Sequence, residues 1–157
     1  MQAYIDASFA NNPDRKSQTG SWIGIIGGDG PIDIRSNKQS TVTKSTAHAE
    51  LTALSDISNQ AIHANKIPKE HGHPDMPPIQ LFQHNKSTII LYKKGKSTSI
   101  RTKHIDVQYF WISEQIDNKE IEIIHIPTED MGRDNIAAKT VIGAQFIKEV
   151  AEQCNWN

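Results

Sequence analysis

Cysteine is nearly absent from this 157-residue chain. Cys154 stands alone, so neither a disulfide framework nor a thiolate metal site can be assembled, and a reducing, intracellular setting suits the chain. Long apolar runs are missing too. None approaches the roughly 20 residues that a membrane span needs, and Met1 leads into a polar strand rather than the apolar stretch of a secretory signal. Charge of one sign is not in excess: 17 Lys and Arg face 18 Asp and Glu, a formal net charge of -1. The chain is therefore no polycation, and contact with nucleic acid must come from local patches rather than a global field. Internal repeats and low-complexity tracts are also lacking. The expectation is a soluble protein with no membrane partner.

What is present suits a globular fold. Hydrophobic residues make up 36% and charged residues 22%, too apolar for disorder. The length predicts a single domain over residues 1–157 with one hydrophobic core.

The periodicity then sets out the elements. Residues 2–7 read as a strand, and Asn11-Asn12-Pro13-Asp14 as a turn. Residues 20–27 form an apolar second strand, and Gly28-Asp29-Gly30 turns it into a third over 31–36, where Ile32 and Ile34 alternate with polar neighbours. From 43 to 65 the residues Ala47, Leu51, Leu54, Ala61 and Ile62 recur near helical spacing, capped by Thr43 or Ser45. A Pro/Gly/His loop follows over 68–78, then a fourth strand over 79–83 and a short helix ending near Gly95. Residues 105–117 suit a further helix, 120–126 a fifth strand closed by Pro127, and 134–153 a final helix. Three antiparallel strands followed by α/β crossovers predict an α/β fold. Its mixed five-stranded sheet should carry helices on both faces, with acidic groups gathering at strand carboxyl ends.

Three acidic residues fall at informative places. Asp6 interrupts an apolar first strand, Glu50 lies early in the first helix beside its packing stripe, and Asp134 opens the last helix. Singly, each has an ordinary explanation: a solubilising edge residue, a solvated helix face, an N-cap. Trp22 and Trp111 are most simply core aromatics. Glu70, His71, His73 and Asp75 have metal-binding composition but sit in a Pro/Gly loop without a helical frame, which argues against a specific site. Lys93, Lys94, Lys96, Arg101 and Lys103 make a basic cluster that suits either a solvated face or contacts to phosphates.

The surrounding blocks are more specific. Tyr4-Ile5-Asp6-Ala7-Ser8, Asp14-Arg15-Lys16-Ser17-Gln18-Thr19-Gly20, Ser36-Asn37-Lys38-Gln39-Ser40-Thr41-Val42, Ser45-Thr46-Ala47-His48-Ala49-Glu50, Arg101-Thr102-Lys103-His104-Ile105-Asp106-Val107 and Pro127-Thr128-Glu129-Asp130-Met131 follow one another in order over nearly the whole chain. Block by block they resemble the RNase H domain of copia-type retrotransposon polyproteins. The resemblance implies an RNase H-like fold, and hydrolysis of the RNA strand of RNA–DNA hybrids with two Mg²⁺ or Mn²⁺ ions held by carboxylates. It further implies an RNA–DNA hybrid and the other domains of a reverse transcriptase polyprotein as partners. Asp6 would bridge the ions, Glu50 would be a second ligand, and Asp134 would help position one of them. Lys38, Gln39 and Ser40 would touch the substrate backbone, as would the basic cluster. Asn85 would meet the 2′-hydroxyls of RNA.

Two positions depart from the family. After the fourth strand the family has an Asp-Asn pair, whereas this chain reads Gln83-His84-Asn85, so His84 stands where a catalytic aspartate is expected. A neutral imidazole brings one nitrogen and no charge, suits Mn²⁺ or Zn²⁺ better than Mg²⁺, and when protonated repels a cation. Three readings remain open: a silent module that binds nucleic acid or supports the polyprotein, retained cleavage with altered metal preference, or a substitution introduced into an active site. At the last motif, Arg133-Asp134-Asn135-Ile136-Ala137-Ala138-Lys139 aligns with the acidic position through Asp134 from one side and Asn135 from the other. Asp134 is preferred, because a one-residue shift is absorbed at a helix start.

Overall fold

A computed structural model describes residues 1–28, 30–86 and 103–127, with the side chains of 103–106 also outside the description. Strand β1 (Gln2–Ser8) runs antiparallel to β2 (Gln18–Gly24), which pairs antiparallel with β3 (Pro31–Lys38). Helix α1 (Thr46–Glu70) then crosses back to β4 (Ile79–Gln83), which lies parallel to β1. Helix α2 (Lys103–Asp117) precedes β5 (Ile121–His125), parallel to β4. The sheet order is β3-β2-β1-β4-β5, the mixed five-stranded sheet that the pattern predicts.

The core follows from the strand period of two. Ala3 and Ile5 of β1, and Ile79 and Leu81 of β4, point to one face and meet Leu51, Leu54, Ile57 and Ala61 of α1. Helix α1 lies against β1, β2 and β4, and α2 against α1 and β5, with Ile112 and Ile121 joining the same cluster. Trp22 is buried, as expected, while Trp111 is half-buried at the edge of the core. Tyr4 stacks on Phe82 (centroids 4.6 Å apart) and meets Trp22 edge-on. No helix among the described residues is long and apolar enough to cross a membrane.

Several boundaries differ from the pattern for local reasons. The β-branched run after β2 leaves the sheet at Gly24, and Ile25 and Ile26 are exposed. Gly28 N–H closes a turn onto the Ile25 carbonyl, with Gly27 at φ 75°, a backbone state that glycine adopts without steric cost. In β3, Ile32 and Ile34 are 53% and 45% exposed, because β3 is the sheet edge and no described helix covers it. Ser45, not Thr43, caps α1: its Oγ accepts from His48 N–H at 3.1 Å. Thr43 Oγ1 lies 2.6 Å from Ser17 Oγ instead, in a buried contact. Helix α1 also runs past residue 65 to Glu70, through Pro68. Proline lacks the N–H for one helical bond, but the helix has only its last turn to complete. His71 N–H bonds both the Ile67 and Pro68 carbonyls, and Lys69 Nζ donates to Glu120 Oε2 at 2.9 Å.

Gly24 is required by its neighbour. A Cβ at this position would fall within the van der Waals surface of the buried Trp22 ring, which cannot yield without disturbing the Tyr4 contact. Gly24→Ala is expected to cost about 1–3 kcal/mol through overpacking, seen as a lower urea midpoint with an unchanged m-value.

The short helix near Gly95 and the final helix over 134–153 lie outside the described residues.

Candidate active site

The parallel pairing of β1 with β4 ends at Tyr4↔Phe82. Asp6 and His84 each stand two residues beyond that pair, at the carboxyl ends of two strands that are parting. On its other side β1 is paired antiparallel with β2, so the sheet changes direction at this point. Such switch points open a crevice that accepts ligands. Helix α1 passes over it and supplies Glu50, whose place one turn past the Ser45 cap is set by the start of the helix.

The three side chains converge. Asp6 Oδ1 lies 3.7 Å from His84 Nδ1, and Glu50 Oε1 lies 3.9 Å from His84 Nε2. One ligand atom from each residue falls within 4.8 Å of the others, and no other such group of His, Cys, Asp and Glu occurs among the described residues. In particular, Glu70, His71, His73 and Asp75 are exposed and do not converge. Glu50 is not the solvated helix residue its position alone would suggest, being 1% exposed. Asp6 and His84 are partly open, with side-chain exposures of 21% and 25%. The arrangement has a closed floor and an open mouth.

Burial dominates the electrostatics. Loss of water pushes the Glu50 carboxyl up to about 8; the Asp6 charge adds to this, while hydrogen bonds from Gln83 and Ala7 N–H work against it. Burial also raises Asp6, opposed by the facing His84 and by Ala7 N–H, which donates to Asp6 Oδ1 at 2.9 Å. Two carboxyl groups held this close in a poorly solvated place are short of positive charge. His84 Nδ1 is itself buried and has no hydrogen-bond partner among the described residues. A cation between these groups would answer both deficits.

Gln83 organises the site and was not singled out in the sequence. Fully buried at the end of β4, it donates from Nε2 to Glu50 Oε2 at 3.1 Å. Its Oε1 accepts from His84 N–H (2.8 Å) and Asn85 N–H (3.3 Å). One side chain thus ties the helix carboxylate to the backbone that presents His84. The signal was a polar residue at the third inward position of Ile79, Leu81, Gln83. His125, at the end of β5, adds a second tie: the His84 carbonyl accepts from its Nε2 at 3.2 Å. Gln83→Leu leaves Glu50 Oε2 and two N–H groups without their partner, a loss of about 1–3 kcal/mol. The expected readout is a lower melting temperature than the parent's at the same pH.

The other expected site residues are dispersed. Lys38 Nζ pairs with Asp14 at 3.0 Å on the surface. Gln39 is buried and donates from Nε2 to Thr19 Oγ1 and the Ala49 carbonyl, so its amide joins β2 to α1. Together with exposed Ser40 they line a cleft of about 500 Å³ that also touches Asp56, Gln60 and Trp111; Asp6, Glu50 and His84 do not line it. Asn85 is half-buried beside His84. Lys103 is the first residue of α2, its side chain outside the description; Asp134, Asn135, Lys93, Lys94, Lys96 and Arg101 all lie outside the described residues.

No protein-family model matches the chain. It is 32% identical over 135 residues to the retrovirus-related Pol polyprotein from transposon TNT 1-94 of Nicotiana tabacum, covering 85% of this chain and 10% of that protein. With the corresponding polyprotein from transposon RE1 of Arabidopsis thaliana it shares 26% over 136 residues, 87% of this chain and 9% of the relative. The chain thus spans about a tenth of the length of these relatives. In fold it is similar to LC11-RNase H1, solved in complex with an RNA/DNA hybrid, with a TM-score of 0.57 at 17% identity, over 95% of this chain and 98% of that one. The order of the sheet and the sequence kinship point the same way: this chain has the RNase H fold, and its homologues are retrovirus-related Pol polyproteins of plant transposons.

Proposed function

We propose that the chain hydrolyses the RNA strand of RNA–DNA hybrids with the help of divalent cations, as one domain of a transposon polyprotein acting inside the cell. The observation that carries this reading is the convergence of Asp6, Glu50 and His84 where β1 and β4 part. Their donor set fits a dication: two carboxylates supply negative charge, and the unpartnered His84 Nδ1 supplies a further donor. When bound, such ions polarise a phosphate and lower the pKa of a bound water. The chain's own residues prepare that place. Asp6, at the open mouth, is the group a substrate phosphate would approach. Glu50 forms the floor, oriented by Gln83. Asp134 is assigned the last acidic position. Lys38, Ser40, Lys93, Lys94, Lys96, Arg101 and Lys103 are assigned to the substrate backbone, and Asn85 to the RNA 2′-hydroxyls; Gln39, with its amide donors spent on Thr19 and Ala49, supports Lys38 and Ser40 from behind instead.

A second reading has its own support. His84 already faces both carboxylates at 3.7 and 3.9 Å, where a family aspartate would instead add charge for a metal. A chain in which the imidazole takes the cation's place would be a silent module that binds nucleic acid without cutting it. A labelled-hybrid assay with Mg²⁺ and separately Mn²⁺ separates the two. Cleavage by the parent chain is the expected result; no cleavage in either ion, with cleavage gained in His84→Asp, establishes the silent module instead.

A further inference from the structure

Resting on the reading of this cluster as a metal site, the geometry points to a narrower assignment. We infer that Asp6, Glu50 and His84 hold a single dication of the nitrogen-accepting, transition-metal kind, Mn²⁺ or Zn²⁺, in preference to Mg²⁺. Three observations converge on this. The first is the donor set. Mg²⁺ demands near-ideal octahedral oxygen coordination and gives up its waters reluctantly, whereas imidazole nitrogen suits Mn²⁺ and Zn²⁺. An imidazole inserted between two carboxylates converts an oxygen site into a mixed one.

The second is space and charge. Glu50 is 1% exposed, so the floor of the site has no room for a hydrated ion's water shell on that side. Two carboxylates and an imidazole ligand sum to a charge of minus two, enough to neutralise one dication and not two. The third is spacing. One ligand atom from each residue lies within 4.8 Å of the others, and His84 Nδ1 stands 3.7 Å from Asp6 Oδ1, close to the separation around a four-coordinate ion, about 3.4 Å for bonds of roughly 2.0–2.1 Å. Small rotations of Asp6 and His84 at the open mouth close the difference. His84 Nδ1, buried and unpartnered among the described residues, then gains the partner it lacks.

The test reads the ion directly. With Mn²⁺ added to the metal-free chain, pulsed electron paramagnetic resonance is expected to show one bound Mn²⁺ with nitrogen coupling. That coupling should vanish in His84→Asp, and equilibrium dialysis should show the preference for Mn²⁺ over Mg²⁺ falling by about tenfold or more in that variant. Nitrogen coupling should persist in the His71→Ala, His73→Ala double variant, whose substitutions lie in an exposed loop and leave the cluster untouched. Absence of nitrogen coupling in the parent, its survival in His84→Asp, or its loss in the loop variant would each overturn the inference, as would an unchanged ion preference. Neither readout involves cleavage. Nitrogen-bound Mn²⁺ in a chain that cuts no hybrid upholds this inference and removes the nuclease reading; cleavage in Mg²⁺ without nitrogen coupling does the reverse.

Discussion

Asp6→Asn is expected to abolish cleavage of an RNA–DNA hybrid while leaving the protein folded and, without metal, more stable at pH 8. Asp6 carries the charge at the open mouth of the cluster, nearest to incoming phosphate, and its carbonyl-sized replacement keeps the shape but not the charge. Electrostatic stabilisation by a bound ion is worth several kcal/mol of barrier, so the rate should fall by about 10³-fold or more. The stability change has the opposite sign. Asp6 is one of the causes that hold the Glu50 carboxyl near 8, so removing its charge lets Glu50 ionise at less cost. The backbone contact survives, because Ala7 N–H can donate to the amide oxygen as it does to Asp6 Oδ1. Rate and urea midpoint, measured on the same preparation, check the two halves together. Residual cleavage within a few-fold of the parent would remove Asp6 from the catalytic role.

The second large effect is on stability against pH. Glu50 has an ordinary value of 4.5 and is raised to about 8 by burial and by Asp6. Between these values the folded state keeps a proton that the unfolded state has released. Its stabilising share is therefore complete below pH 4.5 and is lost progressively as pH rises through 8. Each tenfold change in proton affinity corresponds to about 1.4 kcal/mol, so this side chain contributes a loss on the order of a few kcal/mol in metal-free buffer. Asp6, also raised by burial, changes stability in the same direction. Urea unfolding with a chelator present should show the parent more stable at pH 5 than at pH 8, and Glu50→Gln should flatten much of that slope. Added Mn²⁺ should flatten it too, since a cation favours the ionised carboxylate. A slope equal in the parent and Glu50→Gln would show that Glu50 does not titrate in this range.

The two effects share a cause. Two carboxyl groups held together away from water are least comfortable without a cation, and the strain appears as raised carboxyl groups on a buried floor. Gln83 limits that strain by donating to Glu50, and for this reason its replacement should be felt in stability before it is felt in chemistry.

Much of this protein was legible in its residue order. Alternation in β1 and β4, the helical spacing through Leu51 and Leu54, and the apolar stripe of α2 determine which elements form, because burial of apolar side chains follows the period of the backbone. The ordered motifs around Asp6, Glu50 and His84 marked the three residues that the fold brings together, including the imidazole where an aspartate was expected. Tertiary structure decided what the pattern could not. Two strands and a helix, distant in the chain, bring Asp6, Glu50 and His84 within 4.8 Å only because β1 and β4 pair in parallel and part after Tyr4 and Phe82. Helix α1 continues through Pro68 for part of a last turn, held at its end by the His71 N–H bonds and the Lys69–Glu120 contact. Ile32 and Ile34 stay exposed because β3 is an edge. Glu50 and Gln83 look like surface polar residues in sequence and are among the most buried in the fold. Which residue types are present is written along the chain; how much water each one loses is set by neighbours far away in it, and that loss makes a carboxylate a site.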